Sequence, residues 1–177
     1  METNKNKVLD HIQDLGALIA LVALVVGISI VSPEFRTGSN FLSLLRQSSI
    51  NGLIAFGMTC VILTDAIDLS VGSVLALSTA LCAGMIANGV PAGAAMILAL
   101  VIGTALGAVS GFFVTKGRLQ PFIATLITMT VYRGVTMIFT DGKPISNLGD
   151  SFVLKLVGRG NFYHIPIPVI LLSLIHI

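Results

Sequence analysis

The segment Thr64-Asp65-Ala66-Ile67-Asp68-Leu69-Ser70-Val71-Gly72-Ser73 places two carboxylates and two serines between two long apolar runs. Carboxylates in or beside hydrocarbon are expensive, and they face a bundle interior, a water-filled pathway or the interface. Asp65, Asp68 and Ser70 are therefore candidates for a gate or a substrate pathway. The same residues also read as a solvated turn in which Asp68 caps the following helix through its amides. The two readings are compatible. Arg133 lies about 12 residues, or ~18 Å of helical rise, into the run that opens at Pro121, too deep for a flanking loop charge. It either lines a polar pathway or snorkels to the interface and pairs with Asp141. Arg46 falls at a similar depth near Gln47, Ser48, Ser49 and Asn51. Arginines beside amides and hydroxyls suit a hydroxyl-rich ligand, and equally suit ordinary bonding between helices.

No enzymatic constellation accompanies them. The chain has no Gly-x-x-x-x-Gly-Lys-Ser/Thr phosphate loop, no His pair at metal spacing and no nucleophile elbow. His11, His164 and His176 are far apart in sequence. Cys60 and Cys82 sit in apolar runs and read as small buried hydrophobes, with no disulfide or metal site. The formal net charge is +2 with the basic residues scattered, so no polybasic patch points to nucleic acid. With no cofactor expected in this chain, energy for any transport comes from a partner chain or an ion gradient.

The elements that must hold these residues are membrane helices. Hydrophobic residues make up 55% of the chain and charged residues 10%, against about 25% charged in soluble domains. The mean hydropathy is +0.98. The apolar runs are continuous rather than alternating, which excludes an outer-membrane barrel. A polytopic all-α transmembrane bundle follows, with five complete helices near 15–32, 40–64, 69–87, 91–114 and 121–140, and a sixth from 166 onward. Asn40 is the expected N-cap of the second helix; Gly89 and Pro91 punctuate the third and fourth. Residues 141–165 read as a polar loop with a short surface helix around Ser151 to Val157. Gly103, Gly107 and Gly111 fall on one face of the fourth helix, a packing stripe. Residues 1–14 read as a cytoplasmic N-terminal segment, 15–171 as a truncated transmembrane domain, and 172–177 as a non-native, adapter-derived end. Lys5, Lys7, Lys116 and Arg118 fall on one side, and Arg36, Lys143, Lys155 and Arg159 on the other. The short Lys116/Arg118 turn tips the positive-inside balance toward a cytoplasmic N-terminus.

Several blocks together carry a family resemblance: Gly57 to Thr64, Ile67 to Ser73, Thr115-Lys116-Gly117-Arg118, Pro121 to Leu126, Tyr132 to Thr136, Thr140 to Ile145, and Gly158-Arg159-Gly160. In that order they resemble the membrane permeases of bacterial ATP-binding-cassette sugar importers, and within them the ribose permeases. The resemblance implies a permease of about ten helices working as two copies in the cytoplasmic membrane. It also implies a cytoplasmic ATPase that binds ATP and Mg, an extracellular or periplasmic sugar-binding protein, and a lipid environment. Transport would proceed by alternating access, with Asp65 to Ser70 and the start of the fifth helix, including Gln120 and Phe122, near the cytoplasmic gate. Family members are roughly twice this long, and the ATPase-docking loop belongs to the part not present here. The reading from another class is an ion-coupled secondary transporter in which Asp65 or Asp68 carries the proton or sodium.

Overall fold

The computed structural model describes residues 15–146, 148–149, 151–162 and 165–176. The N-terminal segment with Lys5, Lys7 and His11, and also His164, lie outside the described residues. The chain divides into two compact units, Met1–Gln47 and Ser48–Ile177.

In the first unit, α1 (Gly16–Val31) is apolar along its length and buries no residue. Pro33 follows at once and opens a 3-10 turn, Pro33–Arg36. Helix α2 (Gly38–Ile62) begins two residues before the expected Asn40. Thr37 holds the N-cap instead: its backbone is extended, and its Oγ1 accepts the Asn40 N–H at 3.3 Å. The Asn40 side chain turns back and donates from Nδ2 to the Phe35 carbonyl at 3.0 Å.

The second unit contains the rest of α2, then α3 (Val71–Ala87), α4 (Ala92–Thr115), α5 (Pro121–Thr140), the short α6 (Phe152–Leu154) and α7 (Ile167–His176). Helix α6 runs into a wide π-type turn, Lys155–Arg159. A two-residue antiparallel ladder, β1 (Asn161–Phe162) with β2 (Ile165–Pro166), is the strand pairing of the described residues. The fold is all-α in substance. Helices α4 and α5 are long and apolar enough to cross a membrane by themselves. Helix α3, at 17 residues, sits at the short end of a span of ~17–25 residues, and α1, at 16, falls just below it. The 25 residues of α2 are polar over their first half, from Ser39 to Asn51.

Helix α3 packs against both α4 and α5, and α4 touches α5. Among the described residues the interior is unusually rich in small hydroxyl side chains. Leu77, Ala92, Ala95, Ala124 and Tyr132 are buried alongside Ser49, Ser70, Ser73, Ser78, Ser110, Thr125 and Thr128. Large aliphatic side chains cover the outside instead, the arrangement expected where lipid is the solvent. Small residues bring the backbones together. A Cβ on the buried Gly84 of α3 would lie 2.7 Å from Cζ of Phe139 on α5, so the ring sits in the space glycine leaves. Leu172 of α7 occupies the same kind of space beside Gly52, so residue 172, expected to be non-native, packs on α2.

Three helices stop in the same way. Helix α3 ends at Gly89 in a left-handed conformation, where the Gly89 N–H bonds the Ile86 carbonyl and the Val90 N–H bonds the Met85 carbonyl. This paired closure satisfies carbonyls that the last turn leaves open. The ends of α2 and α5 repeat it with aspartates: Asp65 (φ 54°) and Asp141 (φ 52°) hold the left-handed position. The α4–α5 turn is tight for another reason. A Cβ on Gly117 would lie 2.5 Å from the Phe113 carbonyl oxygen.

Candidate functional site

A chain of hydroxyls ties the α2–α3 connection to α4 and α5. Oδ1 of Asp68 accepts the Ser70 N–H at 2.7 Å and the Ser70 hydroxyl at 2.6 Å. Asp68 thus closes a local turn that sets Ser70 as the N-cap of α3, which begins at Val71 rather than Leu69. Ser70 is fully buried, and its Oγ lies 3.5 Å from Oγ of Ser110 on α4. Ser70 has spent its single proton on Asp68, so Ser110 is the donor in that pair. That one Ser110 proton is better placed on Oγ1 of Thr128 on α5, 3.1 Å away, so the 3.5 Å approach to Ser70 becomes a bond only when the proton turns from Thr128 to Ser70. One turn earlier on α5, the Thr125 hydroxyl shares its proton between the Pro121 carbonyl of its own helix at 2.8 Å and the Ile67 carbonyl at 3.2 Å. Farther along, the Tyr132 hydroxyl donates to the Leu106 carbonyl of α4 at 2.9 Å. Ala124, Thr125, Thr128 and Tyr132 are the buried residues of α5, one stripe at helical spacing.

A cavity of about 230 Å³ opens beside this chain. Thr64 and Asp68, Gly107, Ser110, Gly111 and Thr115, and Pro121 and Thr125 are among its walls. Of the expected packing stripe, only Gly103 lies against a neighbour among the described residues: a Cβ built there would sit 3.7 Å from Ser78. No atom comes within 4 Å of a Cβ built on Gly107 or Gly111, and both face this cavity. A second groove of about 370 Å³ runs between α3 and α5, with Gly72, Ser73 and Ala76 on one wall and Met129, Arg133 and Thr136 on the other.

The candidate residues therefore separate. Asp68 and Ser70 meet; Arg133 lies in a different groove. Asp65 is exposed beyond the end of α2. Gln120 and Phe122 are exposed at the start of α5, where Gln120 is the N-cap without a side-chain bond. Arg46 is half-buried in the first unit, and Asn51 is exposed in the second. The expected Arg133–Asp141 pair does not form: Asp141 bonds Lys143 at 3.2 Å, both exposed. Two helical turns, ~12 Å, separate positions 133 and 141. The cysteines depart from expectation too, with Cys60 exposed and Cys82 half-buried, both free. Sequence reasoning missed Ser110, Thr125 and Thr128. Serine or threonine in a membrane helix is common, and the signal available was their one-face spacing.

Residues 40–158 match the family described as the branched-chain amino acid transport system / permease component. The chain belongs to this permease family. Among curated relatives of the permease, the ribose import permease protein of Bacillus subtilis (strain 168) is 53% identical over 162 residues, covering 92% of this chain and 50% of the relative. The ribose import permease protein of Haemophilus influenzae (strain Rd) is 45% identical over 161 residues, covering 90% and 50%. The D-allose transport system permease protein of Escherichia coli (strain K12) is 39% identical over 157 residues, covering 88% and 48%. The chain spans about half the length of the curated relatives it matches. No solved structure matches it.

Proposed function

We propose that this permease moves ribose or a closely related monosaccharide across the bacterial cytoplasmic membrane as a subunit of an ATP-driven importer. The observation that carries the reading is the 53% identity to a ribose import permease along 92% of the chain. The family description names amino acids, but it covers a whole family, and the more specific likeness is to sugar permeases. In this reading a cytoplasmic ATP-binding-cassette ATPase binds ATP and Mg, and an extracytoplasmic binding protein delivers the sugar. A second permease copy completes the pathway in lipid. The N-terminus, the α2–α3 connection and the Lys116–Arg118 turn face the cytoplasm, in keeping with the positive-inside bias. The hydroxyl chain from Asp68 to Thr128 then lies at the cytoplasmic end of α3, α4 and α5. A connection bonded to two helices at once has discrete bonded and unbonded arrangements, which suits a gate in alternating access.

The test is labelled-ribose uptake by the complete permease with its ATPase and binding protein. Uptake should stop when the ATPase is made unable to hydrolyse ATP. It should persist when the proton and sodium gradients are collapsed with ATP present. The reverse pattern would assign the chain to ion-coupled transport and give Asp68 a different role.

A further inference from the structure

We propose that the groove between α3 and α5 binds a neutral polyhydroxylated ligand of monosaccharide size, with Ser73 and Arg133 as its polar contacts; this rests on the sugar-permease reading. Ser73 belongs to a residue only 8% exposed, yet its hydroxyl has no hydrogen-bond partner in the protein among the described residues. Every other hydroxyl of α3, α4 and α5 is bonded. Ser78 and Thr79 return to their own helix, as do Thr104, Thr115, Thr130, Thr136 and Thr140. Ser110, Thr125, Thr128 and Tyr132 are also bonded, as described above. The residue is buried but its hydroxyl oxygen is left accessible, and it opens on the groove that Ser73 lines, where a ligand can bond it.

Arg133 makes the second observation. It is exposed on the open side of the groove, well along an apolar helix, and its guanidinium has neither an ion pair nor a hydrogen bond with the described residues. Unpaired arginine at that depth marks a polar pathway. Its five donors in a planar fork suit two adjacent oxygens. The Thr136 proton goes to the Tyr132 carbonyl at 2.7 Å, so toward the groove Thr136 is an acceptor. Ser73 is both donor and acceptor. A sugar hydroxyl also donates and accepts, and this set answers it on both counts. Ser73 and Thr136 offer acceptors that only a ligand with its own O–H donors can use, which a hydroxylated ring supplies and a fully ionised anion does not. Ala76 and Met129 supply apolar wall for the C–H face of a ring. No atom lies within 4 Å of a Cβ built on Gly72, so the wall is open there, and about 370 Å³ falls in the usual range for small-molecule sites.

The experiment uses the complete permease with its ATPase in membrane vesicles, in a Cys60→Ser/Cys82→Ala background. Ala76→Cys is the probe, with Met129→Cys on the facing wall as the substitute should Ala76→Cys fail to assemble. Alkylation by a small water-soluble thiol reagent is timed without ligand, with free ribose, with ribose 5-phosphate, and with glycine betaine as a control solute. Ribose at ten times its dissociation constant should slow labelling about tenfold by simple occupancy, and betaine should not. Adding Ser73→Ala or Arg133→Gln should reduce that protection to below about twofold at the same ribose concentration. The proposal fails if the probe is unlabelled in free protein, which would mean that another segment or a second copy fills the groove. It also fails if ribose gives no protection, or if Arg133→Gln leaves protection intact. Stronger protection by ribose 5-phosphate than by ribose would overturn the neutral-ligand assignment. ATP-driven ribose uptake by the unsubstituted complex, measured alongside, tells which idea has failed. Uptake without protection defeats the groove alone, and no uptake of any monosaccharide defeats the importer reading.

Discussion

Replacing Asp68 tests the hydroxyl chain at its anchor. One carboxylate oxygen accepts two short bonds from a fully buried residue, the Ser70 N–H at 2.7 Å and the Ser70 hydroxyl at 2.6 Å. Hydrogen bonds to a charged group contribute about 1.5–3 kcal/mol each, and a stranded buried donor costs about 1–3 kcal/mol. Asp68 itself is half-buried, so the lower half of each range applies. Asp68→Ala should then destabilise the protein by about 3 kcal/mol. Asp68→Asn keeps an oxygen in place and loses only the charge assistance, about half of that. Ser70→Ala removes the hydroxyl but not the N–H bond and should cost about 1–2 kcal/mol. The double substitution should cost less than the sum by about 1 kcal/mol, since no hydroxyl is left stranded. Unfolding of the purified protein in mixed micelles, titrated with a denaturing detergent, measures all four. Additivity within about 0.3 kcal/mol, or Asp68→Ala indistinguishable from the parent, would refute the idea that Asp68 holds Ser70 against α4 and α5.

Two further predictions concern backbone conformation. Asp65→Gly should stabilise the protein by about 0.5–1 kcal/mol, because glycine takes the left-handed helix end without strain, and ribose uptake should stay unchanged. Uptake lost with stability intact would make the Asp65 carboxylate part of the gate. Gly117→Ala should cost at least about 2 kcal/mol, since its Cβ meets a backbone carbonyl, whereas Gly107→Ala meets open space and should gain up to about 1 kcal/mol of helix propensity. The same unfolding titration separates them. A loss at Gly107 confined to the assembled importer would show another chain packed on that face.

The helical class was legible because unbroken apolar runs leave few alternatives, and Gly89 marked the end of α3 through its freedom at positive φ. Other ends were ambiguous for a physical reason. Thr37 and Asn40 are both good caps, and only the extended backbone at Thr37 selects it. An aspartate holding a left-handed turn, as Asp65 does, looks in sequence like a carboxylate kept for chemistry. The two-residue strands at Asn161 and Ile165 are too short to show a period. The site was less legible than the helices, since the meeting of Ser70, Ser110 and Thr128 depends on how three helices cross. The Gly84–Phe139 contact hid for the same reason, while the regular Gly103/Gly107/Gly111 spacing drew attention to a face that is mostly open in this chain.

The hydroxyls of α4 and α5 have a further consequence, for the order in which the protein is made. Thr104, Thr115, Thr130, Thr136 and Thr140 each hand their proton to a carbonyl one turn back on the same helix. Each segment thereby neutralises most of its own polar atoms while it is still alone in the bilayer. Insertion and docking become separate events: the helices enter as nearly self-sufficient rods, and the cross-links at Ser110, Thr125 and Tyr132 form only when neighbours arrive. Arg133 is the exception, a charge with no partner among the described residues, and α5 is for that reason the segment most dependent on company during biogenesis.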